Sequence, residues 1–196
     1  MKAINKQLPK KNSESGFALL MTLIVVTVVI SIGLSVLDLS IKQVRLSTNA
    51  RDSEIAFHAA NAGMECARFW RRSGSDEMEN GQSFPITCFS NTVTPTPVEV
   101  MNTADGEVYR YDYALSWGEF SPRCSQITTL VASSSALGAG LVIGNMTTLV
   151  PGYPNGNSKT CAASEHCTVI SVRGYNKSCA NVSQYGTVQR EVLLQF

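Results

Sequence analysis

The hydrophobic pattern of this chain begins with a run that has no polar side. Residues Phe17 to Leu37 read FALLMTLIVVTVVISIGLSVL, and no charge occurs from Ser15 to Leu37. As a helix rising 1.5 Å per residue the run covers about 31 Å, close to the thickness of a hydrocarbon core. Soluble helices are seldom apolar all round over such a length, so the run predicts a membrane span. The pattern then changes without a break. Ile41, Val44, Thr48, Ile55, Ala59, Ala62, Cys66 and Phe69 recur at steps of three, four or their sum, while Arg45, Asp52, Arg68 and Arg72 fall elsewhere. This is the signature of an amphipathic helix with one face to bury. No proline occurs between Phe17 and Phe84. One helix is therefore expected from about Phe17 to Arg72, about 84 Å long, ending at Ser73-Gly74-Ser75. Gly63 inside it costs roughly 1 kcal/mol against alanine, which a tight packing contact would explain.

After Gly74 the period shortens to two. Pro85, Pro95 and Pro97 mark a loop-rich connection. Val98–Met101, the Asp105-Gly106 turn and Glu107–Trp117 predict a β-hairpin. In its second strand Tyr109, Tyr111, Tyr113, Leu115 and Trp117 alternate with Arg110, Asp112, Ala114 and Ser116, giving one buried face. Further strands are expected at 126–132, 168–173 and 187–196. Ser133-Ser134-Ser135 and residues 151–160 read as loops, and 133–144 has no clear period. The fold class is α+β: a long N-terminal helix, transmembrane in its first half, packed on an antiparallel β-sheet domain. The segments are a basic leader (1–16), a membrane-spanning helix segment (17–37), its amphipathic continuation (38–72) and an exported β-rich globular domain (73–196).

Charge adds direction. Lys and Arg number 16 against 15 Asp and Glu. That balance gives no support for nucleic-acid binding, which needs a concentrated basic surface. Lys2, Lys6, Lys10 and Lys11 crowd the start, with Glu14 the only acid before Asp38. They predict a cytoplasmic N-terminus with everything after Asp38 across the membrane. A secretory signal peptide is the alternative, but the run is long for one and the small residues beyond it fit a cleavage site imperfectly.

All six cysteines, Cys66, Cys88, Cys124, Cys161, Cys167 and Cys179, follow the apolar run, which points to disulfides in an oxidising compartment. Proximity in sequence suggests Cys161 with Cys167, Cys66 with Cys88 and Cys124 with Cys179. A metal site on Cys161, His166, Cys167 and Cys179 lacks the CxxC spacing of zinc knuckles, so no metal or other cofactor is expected. His58 and His166 are the only histidines, and no nucleophile elbow, zincin, phosphate-loop or dinucleotide motif occurs. No enzymatic role is expected, and no catalytic residue is assigned.

Two motifs carry a resemblance. Gly16-Phe17-Ala18-Leu19-Leu20, after a lysine-bearing leader and before the apolar run, resembles the processing site of type IV prepilins. Asn49-Ala50-Arg51-Asp52-Ser53-Glu54-Ile55-Ala56-Phe57-His58-Ala59-Ala60-Asn61-Ala62 resembles the N-A/L-R-D-x-x-x-A-F-x-A-A-E-A motif of PilX-type minor pilins, with Asn61 where glutamate is common. Together they span about residues 10–72. The resemblance implies cleavage by a prepilin peptidase after Gly16, N-methylation of Phe17, storage in membrane lipid, and polymerisation with other pilins through the pilus assembly machinery. It implies a pilin-like fold and an extracellular pilus or periplasmic pseudopilus location. Major pilins of this kind carry glutamate at the fifth mature position. Met21 stands there, which favours a minor subunit. Two alternatives remain open: a pseudopilin of a type II secretion system, and an unassembled, single-pass anchored extracellular binding domain.

Overall fold

A computed structural model describes residues 15–119, 122–154 and 156–196. The lysine-rich leader, apart from its last two residues, lies outside these. The chain divides into two units, Met1–Thr48 and Asn49–Phe196. Helix α1, Ser15–Ser73, contributes residues to both. It extends one or two residues beyond each expected end. In the first unit it is the only described element.

In the second unit α1 lies on a five-stranded antiparallel sheet. Its strands are β3 (Val98–Thr103), β4 (Gly106–Trp117), β5 (Arg123–Ser134), β8 (His166–Tyr175) and β9 (Gln189–Gln195), in the order β3-β4-β5-β8-β9. Neighbouring strands are joined by antiparallel pairing, with one register shift between Glu99 and Met101 in β3. The remaining elements are helix α2 (Ser75–Glu79), the hairpin β1 (Ile86–Cys88) and β2 (Asn91–Val93), strand β6 (Leu141–Gly144), the short helix α3 (Met146–Leu149), strand β7 (Ser158–Cys161) and a 3-10 turn (Cys179–Asn181). β6 and β7 form a separate two-stranded sheet.

The period-two pattern explains the helix side of the main sheet. Tyr111, Tyr113 and Leu115 of β4 join Ile127, Val131, Ile170 and Val172 beneath Met64, Cys66 and Ala67 of α1. The other side carries a second core. Val108, Leu130, Ala132 and Val169 pack against Leu141, Ile143, Met146, Val150 and Tyr153. The excursion between β5 and β8 thus forms a third layer over part of the sheet, and β5 is buried on both faces along most of its length. Each core supplies roughly 1.5–3 kcal/mol per fully buried large aliphatic side chain before entropy is subtracted.

Several expectations need correction. The buried face of α1 is Ala56, Ala59, Ala60, Gly63, Met64, Cys66, Ala67 and Arg71, which keeps Ala59 and Cys66 of the expected face, while Phe69 is 62% exposed. The cause is how closely the backbones approach. A Cβ on Gly63 would lie 2.7 Å from Ser125 Cβ and 2.8 Å from Val172 Cγ1. A Cβ on Gly174 would collide with the backbone of Ala56 and Ala60. Only small side chains fit between helix and sheet there, so the large apolar residues of the periodic face turn away. Ser133 and Ser134 belong to β5, paired with Glu107 and Gly106, and are not loop. β7 occupies the end of the segment expected to be loop at 151–160. The proline-rich connection contains the β1–β2 hairpin, whose turn uses two consecutive non-glycine residues at positive φ, Phe89 (54°) and Ser90 (63°).

The six cysteines form three disulfides: Cys66–Cys88, Cys124–Cys179 and Cys161–Cys167. These are the pairs that proximity in sequence suggests. The first ties α1 to the β1–β2 hairpin, the second ties β5 to the segment between β8 and β9, and the third closes β7 onto β8. By the loop-entropy argument the second, with a sequence separation of 55, stabilises most and the third, with 6, least.

Candidate assembly site

The feature that sets this chain apart is the apolar part of α1. Every side chain from Gly16 to Arg51 is exposed. Phe17 is 68% exposed, and Leu19, Leu23, Val25, Val29, Ile32 and Leu34 are similarly bare. Burying such side chains is worth roughly 1.5–3 kcal/mol each, so water is a poor solvent for this surface.

The polar groups of the run are already satisfied. The Thr22 hydroxyl donates to the Leu19 carbonyl at 2.9 Å and Thr27 to Ile24 at 2.8 Å. Ser31 donates to the Thr27 carbonyl at 2.8 Å, Ser35 to Ser31 at 2.9 Å and Ser40 to Val36 at 2.9 Å. Each hydroxyl bonds one turn back within its own helix. The backbone bonds are internal too, as a lipid environment demands. The helix can therefore enter hydrocarbon without an orphaned hydroxyl. Length and composition allow α1 to cross a membrane.

Gly16 and Phe17 sit in the first turn of α1, and a Cβ on Gly16 would meet nothing within 4 Å. The fifth position from Phe17 is the exposed thioether of Met21. Asp38 and Lys42 pair at 2.8 Å one turn apart, just past the apolar run.

The other end of α1 carries a polar clamp. Arg71 is 5% exposed. Its Nε donates to Thr168 Oγ1 at 2.9 Å, and its Nη2 pairs with Glu79 Oε1. Glu79 Oε2 lies 3.0 Å from His166 Nδ1, and Ser133 Oγ lies 3.2 Å from the same nitrogen. A serine, a histidine and a carboxylate together invite a catalytic comparison. A nucleophile–base relay needs the hydroxyl on one ring nitrogen and the carboxylate on the other. Here both meet Nδ1, so the cluster is a clamp joining α1, α2, β5 and β8. In the sequence Arg71 is one of two arginines in the last turn of the helix, and it reads as a solvated charge. His58 is exposed, 3.7 Å from Glu54.

Cys161, Glu165 and Cys167 bring three potential metal-ligand atoms together. Their two sulfurs are bonded to each other, which removes both as thiolates. Near α2, burial raises the pKa of Tyr111 to about 12. Its hydroxyl is shared among the carbonyls of Glu77, Met78 and Gln82 at 3.2–3.3 Å. A phenolate there would face three acceptors.

A bare apolar helix in one unit and a disulfide-stapled sheet in the other make an α+β, pilin-like protein fitted to membrane anchorage. Residues 15–65 match the family model described as PilX N-terminal, and that segment of the chain is similar to this family. The match ends one residue before Cys66, so the whole sheet lies outside it. No curated protein and no solved structure matches the chain.

Proposed function

We propose that this chain is a minor structural subunit of a type IV pilus, processed after Gly16 and polymerised through residues 17–37 of α1. The observation that carries the reading is the combination, in one 15–65 segment, of the family match with an apolar surface that has no partner among the described residues. Such a surface is at ease in two settings: lipid, and a bundle of like helices. Helices stacked head to tail make a heterologous interface, which propagates as a fibre instead of closing. Met21, in place of an acid, leaves this subunit unable to neutralise a neighbour's N-terminal amine, and this favours a role outside the repeating shaft. Cleavage before the apolar helix keeps that helix on the mature protein and removes the lysines. Partners on this reading are other pilins, the prepilin peptidase and the assembly machinery. The leader would face the cytoplasm and the sheet domain the far side of the membrane.

Mass spectrometry of membrane and sheared-filament fractions tests the proposal. The expected mature chain begins at Phe17 with a methylated amine. A mature N-terminus beyond Leu37 would restore a secretory signal and end the pilin reading.

A further inference from the structure

The third layer covers only part of its face of the main sheet. By the period of two, Asp112 and Ala114 of β4, Gln126 and Thr128 of β5 and Arg173 of β8 share the face of Val108, Leu130 and Val169. They lie beyond the second core and line an open trough of about 350 Å3. Asp112 stands opposite Thr128, and Ala114, Gln126 and Arg173 form one row across three strands.

The polar groups of the trough are unequally provided for. Asp112 is compensated: Arg110 Nε lies 2.8 Å from its Oδ2, and Thr128 Oγ1 donates to its Oδ1 at 2.7 Å. Arg173 is not. Among the described residues no carboxylate pairs with it. The acid opposite it in register is Glu191 on β9. That carboxylate is engaged elsewhere. Ser171 Oγ donates to its Oε1 at 2.7 Å, and the group lies over Gly152, where a Cβ would collide with it. Beside Arg173, the Tyr175 hydroxyl donates to Gln126 Oε1 at 3.1 Å, which leaves the Gln126 NH2 as the free end of that side chain. Burial raises the Tyr175 pKa and the neighbouring Arg173 charge opposes the rise, so at neutral pH the phenol keeps the proton it donates.

We propose that this trough binds a hexuronate, a six-carbon sugar acid, with its carboxylate on Arg173 and Gln126 and its ring hydroxyls on Asp112. Arg173 and Gln126 are directly paired across β8 and β5, so a guanidinium and an amide NH2 stand side by side as donors. Two adjacent donors suit the two oxygens of a carboxylate. Each Asp112 oxygen already accepts one bond and keeps room for another, which suits a hydroxyl donor. Asp112 and Arg173 stand two strands apart, roughly 10 Å between backbones, which leaves space for one pyranose ring. Ala114 keeps the floor between them low. An acidic peptide side chain satisfies Arg173 but brings no hydroxyl to Asp112. All of these residues belong to the second unit, and the proposal does not rest on the filament reading.

The test is an NMR titration of the full nitrogen-labelled chain in detergent micelles, following the Gln126 NH2 and Arg173 Nε–H signals. D-galacturonate should shift both saturably. It should bind at least about tenfold more tightly than acetate, D-galactose or inorganic phosphate, none of which offers both a carboxylate and ring hydroxyls. Arg173→Gln should weaken galacturonate binding by at least about tenfold with the thermal transition unchanged, and Arg173→Lys should restore part of it. Asp112→Asn should narrow the preference over acetate. Tighter binding of trigalacturonate than of the monomer identifies a polysaccharide as the source, and equal binding a free sugar acid. Absence of a saturable shift, equal binding of acetate or phosphate, or undiminished binding by Arg173→Gln would overturn the proposal. None of these outcomes bears on where the leader is cut, so the two proposals fail independently.

Discussion

Leu23 and Leu115 are the same side chain in opposite circumstances. Leu23 is 60% exposed on α1; Leu115 is fully buried under the same helix further along. In the second unit, residues 49–196, most large apolar side chains on both faces of the sheet are buried against partners in the chain. In the first unit, among the described residues 16–48, no apolar side chain is buried. The contrast shows two ways of storing hydrophobic free energy: spent on folding in one unit, held for association in the other. The back-bonded hydroxyls belong to the second strategy, since they leave the helix no polar demand on its neighbours.

The sharpest way to break the contrast is to spoil the stored surface alone. Val26→Lys puts a charge into a helix that must lie in lipid or among apolar helices. We expect it to abolish incorporation into sheared filaments while the second unit keeps its three disulfides and its thermal transition. Normal incorporation would show that the apolar helix is not what polymerises. Next in size is the clamp. Glu79→Ala leaves the Arg71 guanidinium buried without its acid, and breaking a buried pair in this way costs about 3–5 kcal/mol. Denaturant unfolding of the second unit should register it, with membrane retention unchanged.

Gly174→Ala is expected to cost about 1–3 kcal/mol, because the added carbon meets α1 backbone that cannot swing aside. Gly63→Ala should cost less. Its clashes are with side chains, and the helix gains roughly 1 kcal/mol in propensity. The smallest effect sharpens the comparison by pH. The pKa of Tyr111, raised by burial to about 12, makes the neutral phenol the folded form. Its contribution is complete below the ordinary tyrosine value near 10 and is lost as pH climbs through about 12. Tyr111→Phe should cost about 1 kcal/mol at neutral pH and flatten part of the alkaline decline.

How much of this was legible in the sequence depends on how strong each local signal was. The apolar run and the alternating strand Glu107–Trp117 have unmistakable periods, and their side chains follow them; the strand expected at 168–173 is found within β8, which is buried on both faces. The buried face of α1 was displaced because Ala56, Ala59, Ala60 and Ala62 carry almost no amphipathic signal. What selects among them is the close approach of Gly174 and Ser125, more than sixty residues away in the chain. The third layer was hidden because residues 133–144 are rich in Ser, Ala and Gly and have no clear period. The β1–β2 hairpin was hidden because its turn is Phe89-Ser90, where Asn-Gly would have announced it. The clamp was invisible since Arg71 becomes distinctive only once Glu79 and Thr168 are folded against it. Of the candidate site, the apolar helix was plain and its indifference to polar partners was not.

The Cys66–Cys88 bond has a mechanical consequence. Tension drawn along α1 from its apolar end reaches the sheet domain along the packed stretch from Ala56 to Arg71. There it must shear close-packed contacts together instead of peeling them one at a time. Cys66 lies within that stretch, and its covalent link to β1 bypasses the packing altogether. If the packing yields, the helix stays on a tether of one hairpin. The domain is thus joined to its anchor in parallel, by a stiff connection that gives first and a covalent one that does not.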